Sequence, residues 1–150
     1  MADHDELVAA IDQALGPLGF LPRPAPALVH TCLGAWTLKT WLVNRGVIVI
    51  DAPDPAQAAQ RVKLEAGEQL GRVPFFYGMG LQVVVLGPLI PQGQLEQAVD
   101  KIDNQRCIVQ AIWVVDLDAG EMVSHRTWGQ VVSAKYQDAI EGAIQSFLRG

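Results

Sequence analysis

Lysine is scarce, with four in 150 residues, and charged side chains of all kinds make up only 18% of the chain. Sixteen acids against eleven bases leave a net charge of −5. Wholesale neutralisation of a phosphate backbone needs the opposite balance, so no nucleic-acid partner is expected. Cysteine is nearly absent as well. Cys32 and Cys107 lie among apolar neighbours (HTCLGAW and QRCIVQA), where a reduced thiol behaves as a small hydrophobe. A domain of this length buries enough surface to stand without a disulfide.

The first twenty residues hold four acids and no Lys or Arg, the reverse of an export or transit signal, and a cytoplasmic location is expected. No run is long enough to cross a bilayer. Residues 73–94 carry no charge, but Pro74, Gly78, Gly80, Gln82, Gly87, Pro88 and Pro91 interrupt them. The uninterrupted pieces fall far short of the ~18 apolar residues of a spanning helix, so the stretch is expected to be core and no membrane contact is predicted.

Motifs for chemistry are missing too. His4, His30 and His125 show no metal spacing, and no Glu-X-Lys accompanies Asp51 to complete a nuclease-type metal site. Lys63-Leu64-Glu65 falls on a helical pattern, where it reads as a solvated face. His30 beside Cys32 would lie about 200° apart on a helix, which argues against a Cys-His nucleophile. Gly78-Met79-Gly80 precedes a strand, whereas a dinucleotide fingerprint follows one, and no phosphate loop is present. No cofactor is implied.

What is there is apolar patterning, in half of the residues. Leu7, Val8, Ile11 and Leu15 form a helical face that Gly16 and Pro17 end. Residues 17–27, with Pro17, Pro22, Pro24 and Pro26, read as an extended connector whose Phe20-Leu21 should tack onto the body. Asp54-Pro55 marks an N-cap and first helical position for a stripe of Ala58, Ala59, Val62, Ala66 and Leu70. Leu95, Ala98, Val99 and Ile102 suggest a short helix, and Val132, Tyr136, Ile140, Ala143, Ile144 and Phe147 a long last one.

Strands are predicted at 47–50, 81–86, 108–115 and 122–126, all rich in Val and Ile. The third is apolar on both alternating sets apart from Gln110, so it should lie inside the sheet with both faces covered. Asp116-Leu117-Asp118 could hold a hard cation, but Asp118-Ala119-Gly120 reads better as the turn of a hairpin. Residues 29–43 fit either a helix (Val29, Leu33, Trp36, Val43) or a hairpin arm, and the helical reading is favoured. The sum is one α/β domain over 1–150, with α+β as the alternative: helix 1–16, connector 17–27 and a main body 28–150. Its mixed sheet of four or five strands ends in an antiparallel hairpin.

Two places stand out as candidate sites. Asp51 closes an apolar strand just before the helix headed by Asp54, the edge where open α/β sheets bind ligands. Turn chemistry and helix capping account for both residues equally well. Among the four tryptophans (36, 41, 113 and 128), Trp128 follows Arg126 at a strand end, an arrangement that suits a protein contact or a lid over the core. High apolar content and few charges point to a surface covered by another subunit. The expected function is therefore a non-catalytic binding or assembly domain, a homodimer with a further protein partner. The alternative is a small-molecule or enzymatic domain with its site at Asp51 and Asp54.

Overall fold

The computed structural model describes residues 2–25, 28, 30–39, 44–70, 79–99, 107–126 and 134–150. Trp41, Gly78, Ile102, Trp128 and Val132 lie outside the described residues.

Helix α1 (Ala2–Leu15) forms because Leu7, Ile11 and Leu15 recur every four residues, and all three are fully buried. Gly16-Pro17 then forces a single tight turn, closed by the Gly19 N–H donating to the Gly16 carbonyl at 3.0 Å. Gly19 takes a left-handed φ of 95° there, which suits a residue without a Cβ. The connector does tack down, but by one residue of the two: Phe20 is buried and Leu21 is 61% exposed. Leu21–Pro22 also form a short strand, β1, paired antiparallel with the next strand.

That next strand, β2 (Thr31–Lys39), corrects the helical reading of 29–43. It runs antiparallel to β3 (Asn44–Asp51), with a bulge between Cys32 and Gly34. The bulge is why the pattern misleads. One extra residue shifts the alternation, so that Leu33 and Trp36, three apart, pack in the same core cluster and imitate a helical stripe.

From β3 the chain passes through α2 (Pro55–Leu70) to β4 (Met79–Leu86), then through α3 (Gln92–Ala98) to β5 (Cys107–Asp116). Strands β3, β4 and β5 are parallel neighbours, and β5 turns back antiparallel into β6 (Glu121–Arg126). The last element is α4 (Ala134–Arg149). The sheet thus has six strands in sequence order, not four or five, the additions being β1 and β2. The architecture is the expected mixed α/β sheet with helices packed on it.

Each face of the sheet carries its own core. Ile48, Ile50, Val83, Val85, Ile112 and Val114 meet α2 and α3 through Ala58, Ala59, Val62, Leu95 and Ala98. Val47, Val49, Val84, Trp113 and Val115 meet α1 and α4 through Leu7, Ile11, Leu15, Ile140 and Ile144. The expectation for β5 holds: residues 108–115 are buried throughout, and the strand is interior, the fifth of six. Replacing Ile112 or Trp113 by Ala should cost about 2–5 kcal/mol in urea unfolding, one on each face. A loss below about 1 kcal/mol at both would show that the strand is not held between two cores.

Candidate functional site

Asp51 is the last residue of β3 and is exposed. By the alternation of the strand it lies on the face of Val47 and Val49, under α1 and α4. Asp54 sits at the head of α2, which covers the opposite face. Its Oδ1 accepts a hydrogen bond from the Gln57 N–H at 3.4 Å, while its carbonyl accepts from Ala58 at 3.0 Å. Asp54 is therefore the N-cap, and its side chain takes up one of the free N–H groups at the head of α2, that of Gln57. Asp51 thus ends a strand and Asp54 heads the following helix, three residues on. Beside them the backbone is tight, since a Cβ on Gly87 would run into the Ala52 carbonyl.

At the same edge of the sheet, two strands along, Asp116 serves the hairpin turn: its carboxylate accepts from the Ala119 N–H at 3.1 Å and its carbonyl from the Gly120 N–H at 2.9 Å. Gly120 takes a φ of 69° there. Cys32 lies on β2 and His30 in the bend just before it, so neither is on a helix. The Cys32 thiol is nonetheless pushed above its usual range by burial, only partly offset by hydrogen bonding from the Gly34 backbone, which makes it a poor nucleophile. Among the described residues no group of three or more His, Cys, Asp or Glu is placed to hold a metal ion.

Arg126 is engaged within the fold. Its Nη1 meets Asp138 Oδ1 at 2.8 Å and its Nη2 meets Glu141 Oε2 at 3.3 Å, both on α4. Glu141 Oε1 also accepts from Trp113 Nε1 at 3.3 Å and Ser124 Oγ at 3.1 Å. One carboxylate thus ties α4 to both β5 and β6. Trp128, the expected companion of Arg126, lies outside the described residues.

A second polar group was signalled by Gln110 alone, the one polar residue in an apolar strand. Gln110 is the extra residue of a bulge between β4 and β5. Gln82 Nε2 donates to Gln110 Oε1 at 2.6 Å, and Gln137 Nε2, on α4, donates to Gln82 Oε1 at 3.1 Å. Gly80 makes room, since a Cβ there would stand 2.5–2.8 Å from the Gln110 amide. Next to Gln137, the Arg45 guanidinium lies 5.1 Å from the centre of the Tyr136 ring, and Phe20 meets that ring edge-on at 5.4 Å. These amides and rings dock α4 against the sheet.

An open concavity lies along β6. A shallow groove of about 550 Å³ is lined by Leu89, Met122, Val123, Gln145, Leu148 and Arg149, together with the hairpin end at Gly120-Glu121. Met122, Ser124 and Arg126 face α4, whereas Val123 and His125 face α3, where Gln92 Nε2 lies 3.2 Å from His125 Nδ1. Half-buried Leu89 and Leu148 form apolar shoulders on either side of a strand whose outer edge, among the described residues, faces no other strand of the sheet. Such an edge can take up an extended backbone through main-chain hydrogen bonds. Of the two residues marked in the sequence as a partner contact, Arg126 is on β6 but not among the groove's lining residues, and Trp128 lies outside the described residues. The groove depends on which elements flank β6, and local spacing does not carry that.

Family models, curated proteins and solved structures were compared with the chain, and none matches it.

Two pairs of substitutions separate structural from functional acids. Asp54→Ala should lower stability by about 1 kcal/mol through loss of the cap, while Asp51→Asn should change it by less than about 0.5 kcal/mol. Glu141→Ala should cost about 2 kcal/mol, because it strands the buried Trp113 N–H and frees Arg126. Asp138→Ala, at a carboxylate 69% exposed, should cost less than about 0.5 kcal/mol. Urea unfolding reads all four, and equal losses at Glu141 and Asp138 would contradict the anchoring role.

Proposed function

We propose that the chain is a non-catalytic binding and assembly domain of the cytoplasm, acting through self-association and by docking a protein partner. The observation that carries this reading is the groove beside the open edge of β6, with Leu89 and Leu148 as apolar shoulders. The polar side chains of the neighbourhood support it. Glu141, Arg126 and Ser124 are bound to one another and hold α4 in place, so they leave the strand edge as the feature presented outward. The low lysine count and 50% apolar composition agree with a surface that another chain covers.

A small-molecule site at Asp51 is the second reading. It is favoured by the position of that exposed carboxylate at the end of a parallel strand, where it makes no side-chain hydrogen bond among the described residues. A ligand that stabilises the wild type and not a well-folded Asp51→Asn protein would favour it.

Light scattering on the full chain at micromolar concentration tests the assembly reading. The expected mass is about twice the 16.2 kDa of one chain or a higher multiple. A single 16.2 kDa species at all concentrations would overturn self-association.

A further inference from the structure

The two ends of the sheet differ in how they treat an incoming strand. At one end β1 is two residues long, carries Pro22, is followed by Arg23 and Pro24, and its neighbour Arg23 closes over β2 through its N–H to the Ala35 carbonyl and its Nε to Thr37 Oγ1. Proline, charge and shortness are the devices that keep a sheet edge from pairing. At the other end β6 runs Glu-Met-Val-Ser-His-Arg over six residues, with no proline, no lysine and no bulge against β5.

The sequence of β6 is also complementary to itself. When a strand pairs with its own copy about a twofold axis normal to the sheet, opposite residues share a face, so only like-facing residues can meet. Two such antiparallel registers pair five residues, one centred on Val123 and one on Ser124. The Ser124 register sets Met122 against Arg126, whose guanidinium is already held by Asp138 and Glu141. The Val123 register sets Val123 on Val123 and Glu121 opposite His125, on the α3 face, twice. His125 is prepared for that role. With the Gln92 amide donating to Nδ1 at 3.2 Å, the neutral ring carries its proton on Nε2, the atom left to donate to a carboxylate. Glu121 is exposed.

We propose that two copies of the chain join β6 to β6 in antiparallel register about Val123, each Glu121 accepting a hydrogen bond from the partner's His125, to make one continuous sheet across the dimer. The pairing rests on the self-association reading above and names its surface, its symmetry and its register. It brings the two grooves together, so that the Leu89 and Leu148 shoulders of each copy flank the new strand.

Sedimentation of the full chain from micromolar to submillimolar concentration tests it with three variants. The wild type is expected to dimerise. His125→Glu places two carboxylates opposite one another in each half of the interface and should weaken the dimer about tenfold. Adding Glu121→Lys to that variant restores opposite charges and should recover the dimer. Val123→Cys lies on the axis, where paired Cα atoms ~4.5–5.5 Å apart suit a disulfide, so mild oxidation should give a covalent dimer that the wild type does not form. A dimer whose affinity is unchanged by His125→Glu and that Val123→Cys does not cross-link overturns the β6 pairing and leaves self-association standing. A wild type that stays monomeric overturns both.

Discussion

Three parallel strands with no wet face set the terms for everything else in this molecule. The strands β3, β4 and β5 are apolar on both sides, and a parallel sheet survives only when both sides are covered. Crossovers between adjacent parallel strands are right-handed, and strands that follow one another across the sheet without reversing put successive crossovers on the same side. That accounts for α2 and α3 sharing one face. The other face must then be covered from outside the parallel unit, and α1 and α4 do so from the two ends of the chain.

A helix brought from elsewhere needs more than grease to find its position, and α4 is held by specific polar contacts at two levels. Gln137 reaches Gln82 in the sheet, and one turn further on Glu141 gathers Trp113, Ser124 and Arg126. Apolar packing alone tolerates sliding, whereas amides and carboxylates with fixed partners penalise it by leaving buried donors unmet. The same contacts set how β6 is presented. Its even-numbered residues are committed to α4, while Val123 and His125 face α3 and Glu121 is exposed at the hairpin end.

The parallel unit was legible because each of its signals is local. Apolar runs at 47–50, 81–86 and 108–115, the Asp54-Pro55 helix start and the Asp118-Ala119-Gly120 turn each need only a few neighbours to be read. Residues 29–43 were not legible, because a single inserted residue at the bulge put Leu33 and Trp36 in helical phase. Whether β1 counts as a strand depends on its pairing with Thr37 and Trp36, which no property of Leu21-Pro22 announces. The candidate residues divide in the same way. Asp54 and Asp116 were visible as capping and turn chemistry, while the roles of Glu141 and Gln82 depend on partners 55 positions away or fewer that only the packed tertiary structure identifies.

Because α1 and α4 close the same face, the order of synthesis leaves that face unfinished until α4 has followed the six strands. A ribosome-bound chain that has released everything through β6 already holds all six strands, with α2 and α3 available for one side. On the other, Val84, Trp113 and Val115 still lack Ile140 and Ile144. That side of the sheet is thus covered by α1 alone for as long as α4 remains in the exit tunnel. Emergence of α4 is the event that sets Ile140 and Ile144 over the second face of the sheet.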